Sequence, residues 1–270
     1  MHFSSAYLLV SHGSRDPRPE IALEHLAELV RQRLQARRQR QGQSLAVGRE
    51  VWRQEPAREC TGSYSRPPFV GTAVLELAPL PLHQQIQQFA EQALSAGYET
   101  VYILPLFLLP GVHVTEDIPA EVAMAQQQLG NHILLKLGPY LGREANLWQL
   151  WLDSVEWATA PPQSGKILLA HGSRRPESQQ LVEAIAGQIG AVPAYWSVDP
   201  GLEAQVSELI QRGYRQIMIL PYFLFEGGIT DALRDRVDQL SQQFPYAQVQ
   251  LAHPISATPK LADQIVHLLL

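Results

Sequence analysis

The chain has 270 residues, 46% of them apolar and 17% charged, with a net charge of −5. That length allows two ordinary domains with a substantial core, and the charge gives no global basic field for nucleic acid. No apolar run approaches the roughly 18 residues needed to span a bilayer. No basic leader precedes one either, and the single cysteine, Cys60, excludes an internal disulfide or a cysteine-held metal cluster, so a cytoplasmic protein is expected.

Tyr7–Ser11 is a continuous apolar run, as in a parallel strand covered on both faces. Ser14 and Asp16 can cap the helix that follows, with Pro17 or Pro19 in its first turn, and that helix runs from about Glu20 to the basic stretch around Arg37. Arg37–Pro68 is rich in Arg, Gln, Gly, Ser and Pro and reads as a solvated, partly mobile insertion. A second strand is expected over Thr72–Leu77 and a helix over Pro81–Ser95, stopped at Gly97. A third strand, Thr100–Leu108, leads through Pro110 and Gly111 to a helix over Pro119–Leu129. A fourth, Ile133–Leu137, precedes a helix carrying Trp148 and Trp151, and the segment ATAPPQSG at 158–165 interrupts both periodicities.

From Lys166 onward the pattern repeats. YLLVSHGSRD at 7–16 matches ILLAHGSRRP at 167–176, and AGYETVYILPLFL at 96–108 matches RGYRQIMILPYFL at 212–224. A weaker pair, ILLKLGPYLG at 133–142 and VQLAHPISAT at 249–258, closes each half. Three matches in one order indicate duplication. The expected fold is α/β, two tandem domains at 1–158 (with the insertion at 37–68) and 165–270, each an open mostly parallel sheet flanked by helices.

Ligands of such sheets bind beyond the carboxyl ends of the strands. His12 follows the first strand, with Gly13 permitting a tight turn; His113 follows the third, after Gly111; Glu76 ends the second. Each histidine alone is more often a hydrogen-bonding loop residue, but two imidazoles and a carboxylate at one sheet edge form a set able to bind a divalent metal or move a proton. The second half keeps only the first member: His171 matches His12, Ile229 falls where His113 stands, and the Glu76 position falls near Trp196. His253 lies where the first half has Gly138, while His2, His25, His83, His132 and His267 read as exposed.

LLVSHGSRDPR and LPLFLLPGVHVTEDIP, with LE between them, resemble the sirohydrochlorin chelatases, which insert cobalt or ferrous iron into sirohydrochlorin. The resemblance runs over the whole chain, because the long form of that family has two such halves. It implies His12, His113 and Glu76 as catalytic and metal-contacting residues, and it implies Co²⁺ or Fe²⁺ as a substrate beside sirohydrochlorin. Such an enzyme serves siroheme or cobalamin synthesis. No permanent cofactor is implied, since the His-rich tail and the iron–sulfur cysteine cluster of some long relatives are missing. A ligand with many carboxylates suits Ser14, Arg15 and the backbone around Gly111; Arg15 serves equally as a surface ion-pair partner. A duplicated chain is compatible with a monomer. Histidine phosphatases also place a histidine beside a glycine after a first strand, but with an arginine before it, where this chain has Ser11 and Ala170. A non-catalytic tetrapyrrole or metal carrier is the other alternative, since binding and insertion need the same groups.

Overall fold

A computed structural model describes residues 5–50, 66–144, 147–152 and 163–270. The first half runs β1 (Ser5–Ser11), α1 (Arg18–Glu50), β2 (Val70–Val74), α2 (Leu82–Ser95) and β3 (Thr100–Pro105). A five-residue π-helical turn (His113–Asp117) then leads directly into α3 (Ile118–Leu129), β4 (Leu134–Leu137), α4 (Leu141–Glu144) and α5 (Trp148–Leu152). The second half runs β5 (Gly165–Ala170), α6 (Pro176–Gln188), β6 (Val192–Tyr195), α7 (Leu202–Gln211), β7 (Gln216–Pro221), α8 (Gly228–Gln243), β8 (Gln248–Leu251) and α9 (Pro259–Leu269). Each half forms a four-stranded parallel sheet, in the orders β2-β1-β3-β4 and β6-β5-β7-β8.

Alternation along the central strands explains how two sheets make one body. Ala6, Leu8 and Val10 of β1 face an outer core completed by α2 and α3. Tyr7 and Leu9 face the other way, into a core that also takes Leu168 and Ala170 of β5 and residues of α1, α6 and α9. Ile167 and Leu169 of β5 then face a third core with α7 and α8. A strand covered on both faces needs apolar residues at every position, and the runs at 6–10 and 167–170 supply them. Because the middle core draws side chains from both halves, the repeats share hydrophobic burial and are not beads on a string. Arg33 of α1 also meets Asp263 of α9 at 2.8 Å, a pair too exposed to add more than a few tenths of a kcal/mol.

The structure revises several expectations. Residues 37–50 are not loop but the continuation of α1, whose Arg38 is buried and donates to the Arg66 carbonyl. Residues 51–65 of the expected insertion lie outside the described residues, as does most of the expected boundary at 158–165. β2 ends at Val74 and β3 at Pro105, so Glu76 and Phe107 stand beyond the strands. His83 is not exposed: its side chain is 15% accessible, and the Glu121 carboxylate accepts from its backbone N–H (2.7 Å) and meets its Nδ1 (2.9 Å). Among the described residues no helix is long and apolar enough to cross a membrane.

Candidate active site

In both sheets the chain leaves the central strand to build one neighbour and returns to build the other on the opposite side. That reversal opens a crevice at the carboxyl ends of β1 and β3, where neighbouring connections diverge to opposite faces. His12 leaves β1 there. The next residue, Gly13, has φ +100, a left-handed conformation glycine adopts without cost. Glycine is also required by space, because a Cβ on Gly13 would stand 2.0 Å from the Glu76 carbonyl oxygen.

Behind that contact the loops after β1 and β2 are zipped together. Leu75 N–H donates to the Ser11 carbonyl and Glu76 N–H to the His12 carbonyl, each at 2.9 Å. Glu76 is thereby fixed beside His12 through its main chain, with its side chain exposed. Leu77 follows with φ +61 and a side chain 59% exposed. A leucine in the left-handed region costs roughly 1–2 kcal/mol, and no core packing offsets it here.

His113 is presented by the π-helical turn, closed by Ile118 N–H donating to the His113 carbonyl. The repeat shows where the extra residue came from. Gly111 and Gly227 accept from the N–H four residues on, at 3.1 and 3.0 Å. Yet the first fully buried anchor, Ile118, comes seven residues after Gly111, whereas its counterpart Leu233 comes six after Gly227. One inserted residue, absorbed as a π-bulge, distinguishes the half that has both histidines; such bulges recur at functional positions.

The two imidazoles lie edge to face, ring centroids 4.8 Å apart and planes at 89°. Phe107 stands 6.1 Å from each ring and flanks the pair on one side. His12 is exposed, and the His113 side chain is 28% accessible. His113 Nδ1 lies 2.8 Å from the Asp117 carboxylate, one turn on. A proton on Nδ1 donated to that carboxylate leaves the lone pair on Nε2. Asp117 lies within the DIP motif, yet sequence reasoning gave it no role; the four-residue spacing from His113 on a helix was the available signal. Asp117→Ala is expected to lower activity about ten- to hundredfold. Asp117→Asn should recover much of it, because the amide oxygen accepts the same Nδ1 proton; steady-state kinetics on the two variants checks this.

The remaining expected residues separate. Ser14 Oγ accepts from Asp16 N–H at 3.0 Å, which caps the turn and leaves its own proton free. Asp16 and Arg18 are committed to each other, and the Arg18 guanidinium holds the Asp16 carboxyl down at about 2. Arg15, between Ser14 and Asp16 in sequence, is exposed and has no ion-pair or hydrogen-bond partner among the described residues. The Gly111 carbonyl starts the π-helical turn by accepting from Val114 and Thr115, but a Cβ there would meet nothing within 4 Å. Among the described residues no three His, Cys, Asp or Glu side chains are gathered to hold a metal ion. The histidines are thus brought together, while Glu76 stands alongside without closing a cage.

The hydrogen-bond register aligns the second half more exactly than the sequence does. Trp196 donates to Ala170 and Ser197 to His171, so the counterpart of Glu76 is Ser197, one residue past Trp196. Ser197 Oγ donates to the His171 carbonyl at 2.8 Å. Likewise Gly138 donates to Ile103 and Ala252 to Ile219, which makes Ala252, not His253, the counterpart of Gly138. His253 instead stands 3.5 Å from Glu226. Ile229 falls at the His113 position as expected.

The two edges face each other. Arg18, after β1, reaches Asp231 on α8 at 2.5 Å, and Arg175, after β5, reaches Glu116 in the π-helical turn at 3.1 Å. Ser178 of α6 also donates to the Pro110 carbonyl. The His12–His113 edge therefore opens onto a wall supplied by the second half.

A family model described as CbiX matches residues 49–158 and again 165–269. The chain is 25% identical over 190 residues to a sirohydrochlorin ferrochelatase of Priestia megaterium, covering 66% of this chain and 70% of that protein. It is 23% identical over 189 residues to a sirohydrochlorin cobaltochelatase of the same organism, covering 65% and 61%. Among solved structures, SirB from Bacillus subtilis with Fe³⁺ superposes with a TM-score of 0.67 at 19% identity, over 98% of this chain and 94% of that one.

Proposed function

The chain belongs to the CbiX family, and from that premise we propose that it inserts a divalent metal, Co²⁺ or Fe²⁺, into sirohydrochlorin. The observation that carries this reading is the His12–His113 pair, edge to face at 4.8 Å at the switch point of the first sheet. Insertion requires removal of two pyrrole N–H protons and loss of water from the metal. A neutral imidazole, with an ordinary pKa of about 6.5, accepts a proton or coordinates a borderline metal. His113, with Nε2 left free by Asp117, and His12 opposite it offer two such groups on one face. Glu76 supplies a carboxylate at the rim that can hold the incoming metal or pass on a proton.

A metal that is a substrate must leave again, which calls for an open donor set rather than a closed cage. Arg15, which has no partner among the described residues, and the Ser14 hydroxyl are suited to substrate carboxylates. In this reading residues 1–158 carry the reaction and residues 165–270 complete the cleft. Ser11 and Ala170, in place of a phosphate-holding arginine, speak against phosphoryl transfer.

The test is optical: protein is mixed with sirohydrochlorin and excess Co²⁺ or Fe²⁺, and the tetrapyrrole spectrum is followed. Many turnovers per protein are expected with at least one of the metals. A spectral change that stops at one equivalent would mean a carrier, and no acceleration over the uncatalysed rate would defeat the proposal.

A further inference from the structure

The inference rests on the tetrapyrrole reading above and assigns a wall to the pocket. Large apolar side chains stand exposed at a few places on the described surface, and two of them are sequence neighbours of the site: Leu77 follows Glu76, and Val112 precedes His113. With Phe107, which stands beside both imidazoles, they give an apolar rim to a crevice whose centre is polar.

Leu77 is the informative one, because its backbone is strained in an unusual direction. It holds φ +61, where glycine or asparagine would sit easily, yet its side chain belongs to none of the three cores. Its counterpart in the repeat, one past Ser197, is Val198. Val198 has no positive φ and packs, partly buried, against the shared core. The same loop therefore tucks its apolar residue inward in the half lacking the second histidine, and turns it outward in the half that has both. Strain held at an exposed apolar residue is the kind that ligand contact explains, since folding gains nothing from it.

We propose that Leu77, with Val112 across the crevice, packs against the flat face of the tetrapyrrole and sets its affinity for the metal-free macrocycle. A flat conjugated ring fringed with carboxylates needs an apolar surface for its face as well as cations for its edge.

The experiment measures binding of metal-free sirohydrochlorin by fluorescence titration, without metal, alongside thermal unfolding. Leu77→Gly should weaken binding about tenfold while leaving the melting temperature unchanged or higher, since glycine relieves the left-handed backbone. Leu77→Ala should weaken binding by a similar factor, and Leu134→Ala, at the far end of β4 and 50% exposed, should not change it. Wild-type affinity in both Leu77 variants overturns the assignment. So does a drop of several degrees in Leu77→Gly, which would make Leu77 a packing residue. If the wild-type protein itself fails to bind, the tetrapyrrole reading falls with it; loss confined to the variants separates the two.

Discussion

His12→Ala and His113→Ala should each lower metal insertion by at least about a hundredfold, the usual cost of losing a positioned acid–base group. His171→Ala should retain most of it. The contrast follows from what faces each histidine. His12 lies edge to face with His113, whose Nε2 is left free by Asp117, and has Glu76 tied to its own carbonyl. His171 has Gly172 O within 3.2 Å and Ser197 Oγ within 3.5 Å of Nδ1, and the residue at the second imidazole position is Ile229. An isoleucine has no lone pair and a serine no charge at neutral pH, so neither position supplies what His113 and Glu76 offer beside His12.

All three variants should fold, because His12 and His171 are exposed and His113 is a partly exposed residue on a turn rather than part of a core. Steady-state insertion rates on folded proteins decide the matter. Equal losses from His12→Ala and His171→Ala would mean two working sites, or one shared across the cleft, and the one-site reading would fail.

Much of this arrangement was legible because parallel sheets write themselves plainly. Apolar runs at 6–10 and 167–170 demand two-sided burial, and the repeated HGS and LP motifs mark the corresponding strands of the two halves. His12 and His171 could be placed because they follow such runs, and His113 because it stands after a glycine in the loop beyond the third strand. What stayed hidden depended on backbone geometry. The π-bulge that presents His113 has no compositional mark, and it appears only when Ile118 and Leu233 are compared as buried anchors. The counterpart of Gly138 was misplaced by one residue and that of Glu76 was located only as near Trp196, since loop residues align by hydrogen bonds rather than by resemblance. The helical character of 37–50 was missed for a different reason. Arg and Gln are good helix formers, but a polar stretch without an apolar stripe gives no periodic signal.

Gly13→Ala should be as damaging as loss of a histidine, although it removes nothing. A Cβ at Gly13 would stand 2.0 Å from the Glu76 carbonyl oxygen and 2.9 Å from its carbonyl carbon. A tolerable carbon–oxygen contact is about 3.3 Å or more, so the two loops must part by more than about 1 Å. The oxygen belongs to backbone, which cannot rotate aside as a side chain would. The separation breaks the bond from Glu76 N–H to His12 and carries the carboxylate away from the imidazoles, and a misplacement of that size costs on the order of a hundredfold in rate. Alanine at φ +100 adds a conformational cost of roughly 1–2 kcal/mol.

The repeat provides the control. Gly172 has φ +88, but an added Cβ would meet side-chain atoms there, Val198 Cγ2 at 2.9 Å and Tyr195 Cβ at 3.0 Å. Gly172→Ala should therefore lose comparable stability and keep most of its insertion activity. Each kcal/mol lowers the melting temperature of a protein this size by roughly 2–4 °C, so rates are compared well below both transitions. Wild-type insertion by Gly13→Ala, or an equal loss from Gly172→Ala, would show that the zipped loops after β1 and β2 do not hold the reactive geometry.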